Sequence, residues 1–292
     1  ISEVTVIAWN IVTARHGMPR RARETGERGF AVIAYGKLGG IELGYTSDLD
    51  LVFLHEEHEG DDMTDGEKPV SVRQFYSKVA QKILMLFNTR MSSGVLYDID
   101  TRLRPDGEAG LLVSTFNAFE LYQKNSAWTW EHQALVRARP VFGEDHLRDE
   151  FSRIRTEVLT ASRDPEKLRD DVVSMREKMR ASLIRGGKGQ VDLKQSQGCM
   201  TDIEFIAQYL VLRYAHEHPE MAAWSDNIRI FDSAVACGIL AREDASDLKS
   251  AYISIRNEAH RQSLRGLPRI VPDTVLVPER AKVVSLWQKI LG

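Results

Sequence analysis

Cysteine is scarce in this chain: Cys199 and Cys237 are the only two in 292 residues. They lie far apart and in no ligand-spaced cluster. Neither a disulfide framework nor a structural zinc site is expected, and the pair reads as small buried residues of a reducing compartment. Long apolar runs are also missing. Stretches such as Ile83-Leu84-Met85-Leu86-Phe87 fall far below the roughly 20 residues of a membrane span, and no secretory leader is visible. Nor is there an excess of one charge. Lys and Arg number 39 against 42 Asp and Glu, a net charge of −3, which argues against a protein whose main task is gripping nucleic acid through its phosphates. Internal repeats and low-complexity segments are absent. So is an initiator Met: the chain starts at Ile1 inside an apolar helical pattern and reads as an excised part of a longer protein. What remains, 43% hydrophobic and 28% charged residues, is ordinary globular composition at a length that allows two domains.

Periodicity divides the chain. Val4, Ile7 and Ile11 recur at helical spacing ahead of a basic stretch from Pro19 to Gly29. Apolar runs at Phe30–Tyr35 and Leu49–Leu54 predict two strands around a glycine-rich turn. An acidic loop follows from His55 to Pro69. Its Asp61, Asp62, Asp65 and Gly66 lack the spacing and terminal Glu of a calcium loop. Ser71-x-x-Gln74 is a capping box for a helix with the stripe Phe75, Val79, Ile83, Leu86 and Phe87. A third strand is expected from Val95 to Leu103, with Asp98, Asp100 and Arg102 on one face. Pro105 and Gly107 break it. Helices are expected over Thr115–Lys124 and Ala127–Arg139, the latter stopped by Pro140.

Beyond Phe151 strand signals nearly vanish. Asp164-Pro165 opens a helix with the stripe Leu168, Val172, Met175, Met179 and Leu183. Thr201-x-x-Glu204 reads as a capping box for the next helix, and further helices cover Trp224–Ala236, Asp244–Leu264 and Glu279–Leu291. The chain is therefore read as α+β: a leading helix and linker (1–28), an α/β head (29–145) and an all-helical domain (146–292).

The chemistry concentrates in Gly36-Lys37-Leu38-Gly39-Gly40 and the following Ser47-Asp48-Leu49-Asp50. In a strand, residues two apart share a side, so the carboxylates of Asp48 and Asp50 converge. Two carboxylates held together repel, and the usual compensation is a divalent cation with oxygen ligands. A glycine turn beside them lets backbone amides approach phosphate. Asp98 and Asp100 compete for the position of a third carboxylate, which a two-metal centre needs. A Walker A loop does not fit, because Lys37 precedes the glycine pair, and neither does G-x-G-x-x-G.

This layout resembles the nucleotidyltransferase superfamily of the DNA polymerase β type. Several blocks narrow the likeness: Ala34 to Leu43 with Ser47 to Asp50, Asp100-x-Arg102-Leu103-Arg104-Pro105-x-Gly107, Trp130 to Arg139 and Thr201 to Gln208. Together they are similar to the signature of glutamine synthetase adenylyltransferases, a bifunctional family. Tyr122 to His132 and Tyr209 to His216 resemble its carboxy-terminal half. The resemblance implies a polymerase β-like head followed by an all-helical domain, and a cytoplasmic, nitrogen-regulating enzyme. It implies AMP transfer from ATP to a tyrosine of glutamine synthetase with release of pyrophosphate, using two Mg²⁺ ions. The other half of the family protein removes AMP by phosphorolysis. Two alternatives are therefore that reverse reaction and a non-catalytic nucleotide-sensing module; an RNA-tailing polymerase shares the head but not the near-neutral charge. PII signalling protein is an implied partner of the full-length protein.

The same resemblance assigns Asp48, Asp50 and Asp100 as catalytic metal ligands, Asp100 being favoured over Asp98 by the Asp-x-Arg-Leu-Arg-Pro block. Gly39 and Gly40 are expected to meet the β- and γ-phosphates. Ser47 either donates to phosphate or caps the turn, and Lys37 either neutralises triphosphate or is a solvated turn lysine. Arg102 and Arg104 are expected at phosphate or paired with Asp98 and Glu108. Arg137 and Arg139 reach either the substrate or a helix end. Glu204 is read as a capping partner, Trp128 and Trp130 as core or interface packing residues and His132 as structural.

Overall fold

The computed structural model describes residues 1–44, 47–58, 62–90, 92, 94 and 96–292. Tyr45 and Thr46 of the glycine-rich stretch, Asp61 of the acidic loop and Val95 of the expected third strand lie outside them. In chain order the elements are α1 (Ser2–His16), α2 (Arg20–Thr25), β1 (Phe30–Ala34), α3 (Gly36–Gly39), β2 (Leu49–His55), α4 (Val72–Asn88), β3 (Ile99–Asp100), β4 (Val113–Thr115), α5 (Phe116–Asn125), α6 (Thr129–Val136), β5 (Arg139–Phe142) and α7 (Asp145–Leu159). Then come α8 (Pro165–Leu183), β6 (Gln190–Asp192), α9 (Met200–Tyr214), α10 (Asn227–Ala236), α11 (Arg242–Leu264), β7 (Ile270–Pro272) and α12 (Val277–Leu291). The architecture is α+β. Two compact units divide it: one of residues 1–43, 47–127 and 137–158, the other of 44–46, 128–136 and 159–292.

The first unit is built on a mixed sheet in the order β3-β2-β1-β5, with β4 also paired to β2. β1 is buried along its whole length, as expected of a central strand without polar alternation. It runs antiparallel to β2 and β5, whereas β3 and β4 lie parallel to β2. The sequence reading missed β5, taking Pro140 as a helix stop. Pro140 instead sits in an edge strand opposite Ile33, beside a register shift, a position where a residue without an N–H costs no ladder bond. α6 correspondingly ends at Val136.

Ser71 caps α4 as expected, accepting from the Gln74 amide, and Phe75, Val79, Ile83 and Phe87 are buried. α1 presents a different stripe from the one expected. Thr5, Ala8, Trp9, Val12 and His16 are buried, while Ile7 and Ile11 are 48% and 44% exposed. The large ring decides the rotation: Trp9 packs edge-on against Phe75 of α4 with ring centroids 5.0 Å apart.

His55 closes β2 and stacks on Tyr76, the centroids 4.6 Å apart; Tyr76 in turn stacks on Phe30 and donates to the Arg28 carbonyl at 2.8 Å. Burial pushes the imidazole down to about 4 from an ordinary 6.5. Between these values the unfolded chain binds a proton that the folded chain does not. Stability is therefore complete above about pH 6.5 and falls as pH drops toward 4, by up to about 3 kcal/mol from this group. His55→Phe keeps the stack, and its thermal midpoint should decline less than that of the unaltered protein between pH 7 and pH 4.5.

The second unit is organised around α9, where Met200–Ile203 and Phe205–Leu212 are all buried; a helix apolar on every side belongs in a core. α6, α8, α10, α11 and α12 pack against it. A short antiparallel ribbon, Gln190–Asp192 with Ile270–Pro272, joins the expected helices. Asp164 caps α8 by accepting from Lys167 N–H, with Pro165 in the first turn. The buried stripe of α8 is Leu168, Val172 and Arg176 rather than a run ending at Leu183, which is 49% exposed. The expected capping box on α9 is not formed. Cys199 is the N-cap without a side-chain bond, and Glu204 instead accepts from the Tyr252 hydroxyl at 3.4 Å. Among the described residues no helix is long and apolar enough to cross a membrane.

Candidate active site

The site lies in the first unit, where β2 leaves the glycine-rich turn. β1 runs directly into the single helical turn α3. Its internal bonds use the glycine amides: Gly39 N–H donates to the Tyr35 carbonyl at 2.9 Å and Gly40 N–H to the Gly36 carbonyl at 3.0 Å. What makes these positions glycine is close approach. A Cβ on Gly39 would lie 1.9 Å from the Arg137 carbonyl oxygen, and one on Gly40 would lie 2.6 Å from its guanidinium. Arg137 is buried and ion-paired to Glu42 at 2.5 Å. Arg139 donates to the carbonyls of Leu38 and Gly39 at 3.1 Å each. Both arginines thus brace the glycine turn.

Gly36 has a φ of +55°, and a Cβ there would come 2.2 Å from Oδ2 of Asp50. Asp50 is held from the backbone as well, its carbonyl accepting from Tyr35 N–H at 2.9 Å. On the other side of β2, Leu49 pairs with Ile99 and Asp50 with Asp100 in parallel register, and Leu49 N–H donates to the Asp98 carbonyl at 2.8 Å. Register partners on adjacent strands project to the same side. Asp50 and Asp100 therefore share a sheet face, with Asp48 two residues upstream.

A cleft of about 530 Å³ opens here, lined by Asp48, Asp98, Asp100, Arg102, Arg104 and Glu108 among others. The expected third strand contracts to Ile99–Asp100, because the chain turns from Thr101 into Pro105. That turn redirects both arginines. Arg102 folds back on Asp100, donating from its backbone N–H at 2.8 Å and from Nε at 2.8 and 3.0 Å to the two carboxylate oxygens, with Nη2 closer still. Arg102 holds the Asp100 carboxyl below its ordinary range despite partial burial. Arg104 instead ties the turn together, donating to the carbonyls of Thr101, Glu108 and Gly110 and to the Thr101 hydroxyl. Lys37 Nζ reaches Ser47 Oγ at 3.5 Å, so the two candidates for phosphate contact or turn support lie together.

The donor set fits a hard divalent cation: Asp48, Asp50 and Asp100 offer carboxylate oxygen alone. In this conformation their oxygens are not all within 4.8 Å of one another, and Asp100 is engaged by Arg102. Elsewhere the structure leaves Trp128 71% exposed, which excludes the core alternative for it and not the interface one, and places His132 Nδ1 3.5 Å from the Arg163 guanidinium.

A family model described as glutamate-ammonia ligase adenylyltransferase matches residues 1–154, and one described as GlnD PII-uridylyltransferase matches residues 173–268. The chain is 53% identical over 292 residues to the bifunctional glutamine synthetase adenylyltransferase/adenylyl-removing enzyme of Mannheimia haemolytica, covering 100% of this chain and 30% of that protein. It is 56% identical over 291 residues to the protein of the same description from Haemophilus ducreyi, covering 99% and 30%. The chain thus spans about 30% of the length of the curated relatives it matches.

Proposed function

Since this chain belongs to the glutamate-ammonia ligase adenylyltransferase family, we propose that it transfers AMP from ATP to a tyrosine hydroxyl of glutamine synthetase, releasing pyrophosphate. The observation that carries this reading is the parallel register of Asp50 and Asp100, which sets two carboxylates on one sheet face beside the cleft that Asp100 lines with Asp48.

Asp48, Asp50 and Asp100 would hold Mg²⁺, which when bound supplies Lewis-acid stabilisation of phosphoryl oxygens and favours ionisation of a hydroxyl. The chain's own contribution is placement and charge. Asp100 is preferred to Asp98 because it is the register partner of Asp50 and partly buried, while Asp98 is exposed. As an ordinary carboxylate Asp100 is a poor final proton acceptor for a phenol with a pKa near 10. It acts instead as a fixed negative acceptor that orients the tyrosine hydroxyl for in-line attack on the α-phosphorus. Lys37 and Ser47 face the triphosphate, and Arg102 exchanges its bond to Asp100 for phosphate oxygens as the nucleotide enters. Arg104 positions Asp100 by fixing the 101–110 turn. Gly39 and Gly40 serve by letting the turn lie against Arg137.

A second reading is the phosphorolytic removal of AMP, favoured by the adenylyl-removing activity in both relatives' names. The match of residues 173–268 to the GlnD PII-uridylyltransferase model supports a link to PII signalling and nitrogen regulation. Incubating the purified chain with Mg²⁺, ATP labelled at the α-phosphate and unmodified glutamine synthetase should label a tyrosine. Absence of labelling, together with phosphate-dependent release of AMP from modified glutamine synthetase, would replace the first reading by the second.

A further inference from the structure

The connection between α9 and α10 brings together three side chains that the sequence keeps apart. His218 follows α9, Glu220 lies in the short turn Pro219–Ala222, and Cys237 is the C-cap of α10. Their ligand atoms all lie within 4.8 Å of one another, and among the described residues this is the one group of His, Cys, Asp and Glu side chains so gathered. His218 Nδ1 is 3.6 Å and Cys237 Sγ 3.2 Å from the same oxygen, Oε1 of Glu220. We propose that His218, Glu220 and Cys237 form a binding site for one zinc-class transition-metal ion.

Three observations carry the assignment. The first is spacing. Zinc bonds of about 2.0–2.2 Å to N and O and about 2.3 Å to S place neighbouring ligands of a tetrahedron roughly 3.3–3.6 Å apart. The two separations to Glu220 are already close to that, so a cation can enter with small side-chain adjustments. The second is chemistry. Thiolate, imidazole and carboxylate together suit Zn²⁺, Co²⁺ or Fe²⁺ and not the oxygen-seeking Mg²⁺ or Ca²⁺. The third is support from the backbone. His218 N–H donates to the Tyr214 carbonyl and Met221 N–H to the His218 carbonyl, each at 2.9 Å, and Met221 is fully buried. Cys237 N–H donates to Ser233 at 2.9 Å. The ligands thus stand on anchored turns rather than on a free loop.

Three protein ligands leave one tetrahedral position for water, and the half-buried Cys237 and exposed Glu220 give access from solvent. The bound ion would clip the end of α9 to the end of α10. Sequence spacing hides this arrangement, since the pair His218-x-Glu220 and Cys237 come from opposite ends of α10.

The test is a Co²⁺ and Zn²⁺ titration of the purified 292-residue chain with excess Mg²⁺ throughout, which occupies the carboxylate cleft. One equivalent of Co²⁺ should give a thiolate-to-cobalt charge-transfer band in the near ultraviolet and the intense visible bands of four-coordination. Cys199 is fully buried, so the thiolate band reports Cys237. Cys237→Ser should abolish that band. Cys237→Ser and Glu220→Gln should each weaken Zn²⁺, measured against a chromophoric chelator, by more than the roughly 10–100-fold that loss of an outer-shell partner costs. Metal-free melts of both variants should match that of the unaltered chain, which separates loss of a ligand from misfolding. Binding without the thiolate band, or unchanged Zn²⁺ affinity in either folded variant, would overturn the proposal.

Discussion

Asp48→Asn and Asp50→Asn should each lower AMP transfer by about a thousandfold or more, with the thermal midpoint of Asp48→Asn unchanged within about 1 °C. The size follows from what a divalent ion contributes to phosphoryl transfer, several kcal/mol of charge stabilisation, with each 1.36 kcal/mol worth a factor of ten. Asn preserves shape and one oxygen but not the charge that holds a hard cation. The exposed Asp48 has little to lose in packing. Gly36→Ala is the informative companion. It retains all three carboxylates, yet its Cβ would stand 2.2 Å from Oδ2 of Asp50 at a φ of +55°, so it must displace Asp50 or the turn. Activity should fall steeply in this variant too. Initial rates with saturating ATP and glutamine synthetase, beside melting curves, decide the matter. Full activity in Asp48→Asn or Asp50→Asn would remove the metal-ligand assignment.

Much of this site was legible because its chemistry is local. The spacing of Asp48, just before β2, and Asp50 within it, the glycines before them and Asp100 further on all lie in recognisable blocks, and β1 and β2 form where the apolar runs predicted. What local pattern could not show was the reason for the glycines. Taken as a phosphate cradle, Gly39 and Gly40 spend their amides inside α3 and are small because the Arg137 backbone and guanidinium lie against them. That contact depends on β5, nearly a hundred residues downstream, whose strand character Pro140 conceals. The two arginines after Asp100 diverged for a similar reason. Extended geometry would have put both on the carboxylate face, but the turn into Pro105 sends Arg102 to Asp100 and Arg104 to backbone carbonyls. Periodicity assigns faces only while the strand continues.

The helical unit gives the sharper case. Asp202→Ala should destabilise it by about 3–5 kcal/mol and lower its melting transition by roughly 6–20 °C. The Asp202 side chain is 1% exposed and that of Arg176 is 0% exposed. Asp202 accepts from Arg176 Nε at 2.6 Å, from Arg180 Nη2 at 3.0 Å and from Gly198 N–H at 2.7 Å. Burial pushes the Arg176 pKa down while Asp202 opposes that shift, so removal of the carboxylate leaves a buried cation with only the Gln195 carbonyl and amide oxygens. The sequence pointed to the wrong member of this block. Thr201-x-x-Glu204 has the form of a capping box, but the arginines that pair with Asp202 lie on α8, and Glu204 accepts from the Tyr252 hydroxyl at 3.4 Å. Glu204→Gln should therefore shift the midpoint by less than about 2 °C. The double replacement of Arg176 by Met and Asp202 by Leu should regain much of what Asp202→Ala loses, because it removes both charges together. An unchanged midpoint for the helical unit's own transition in Asp202→Ala would show that the ion pair does not hold α8 to α9.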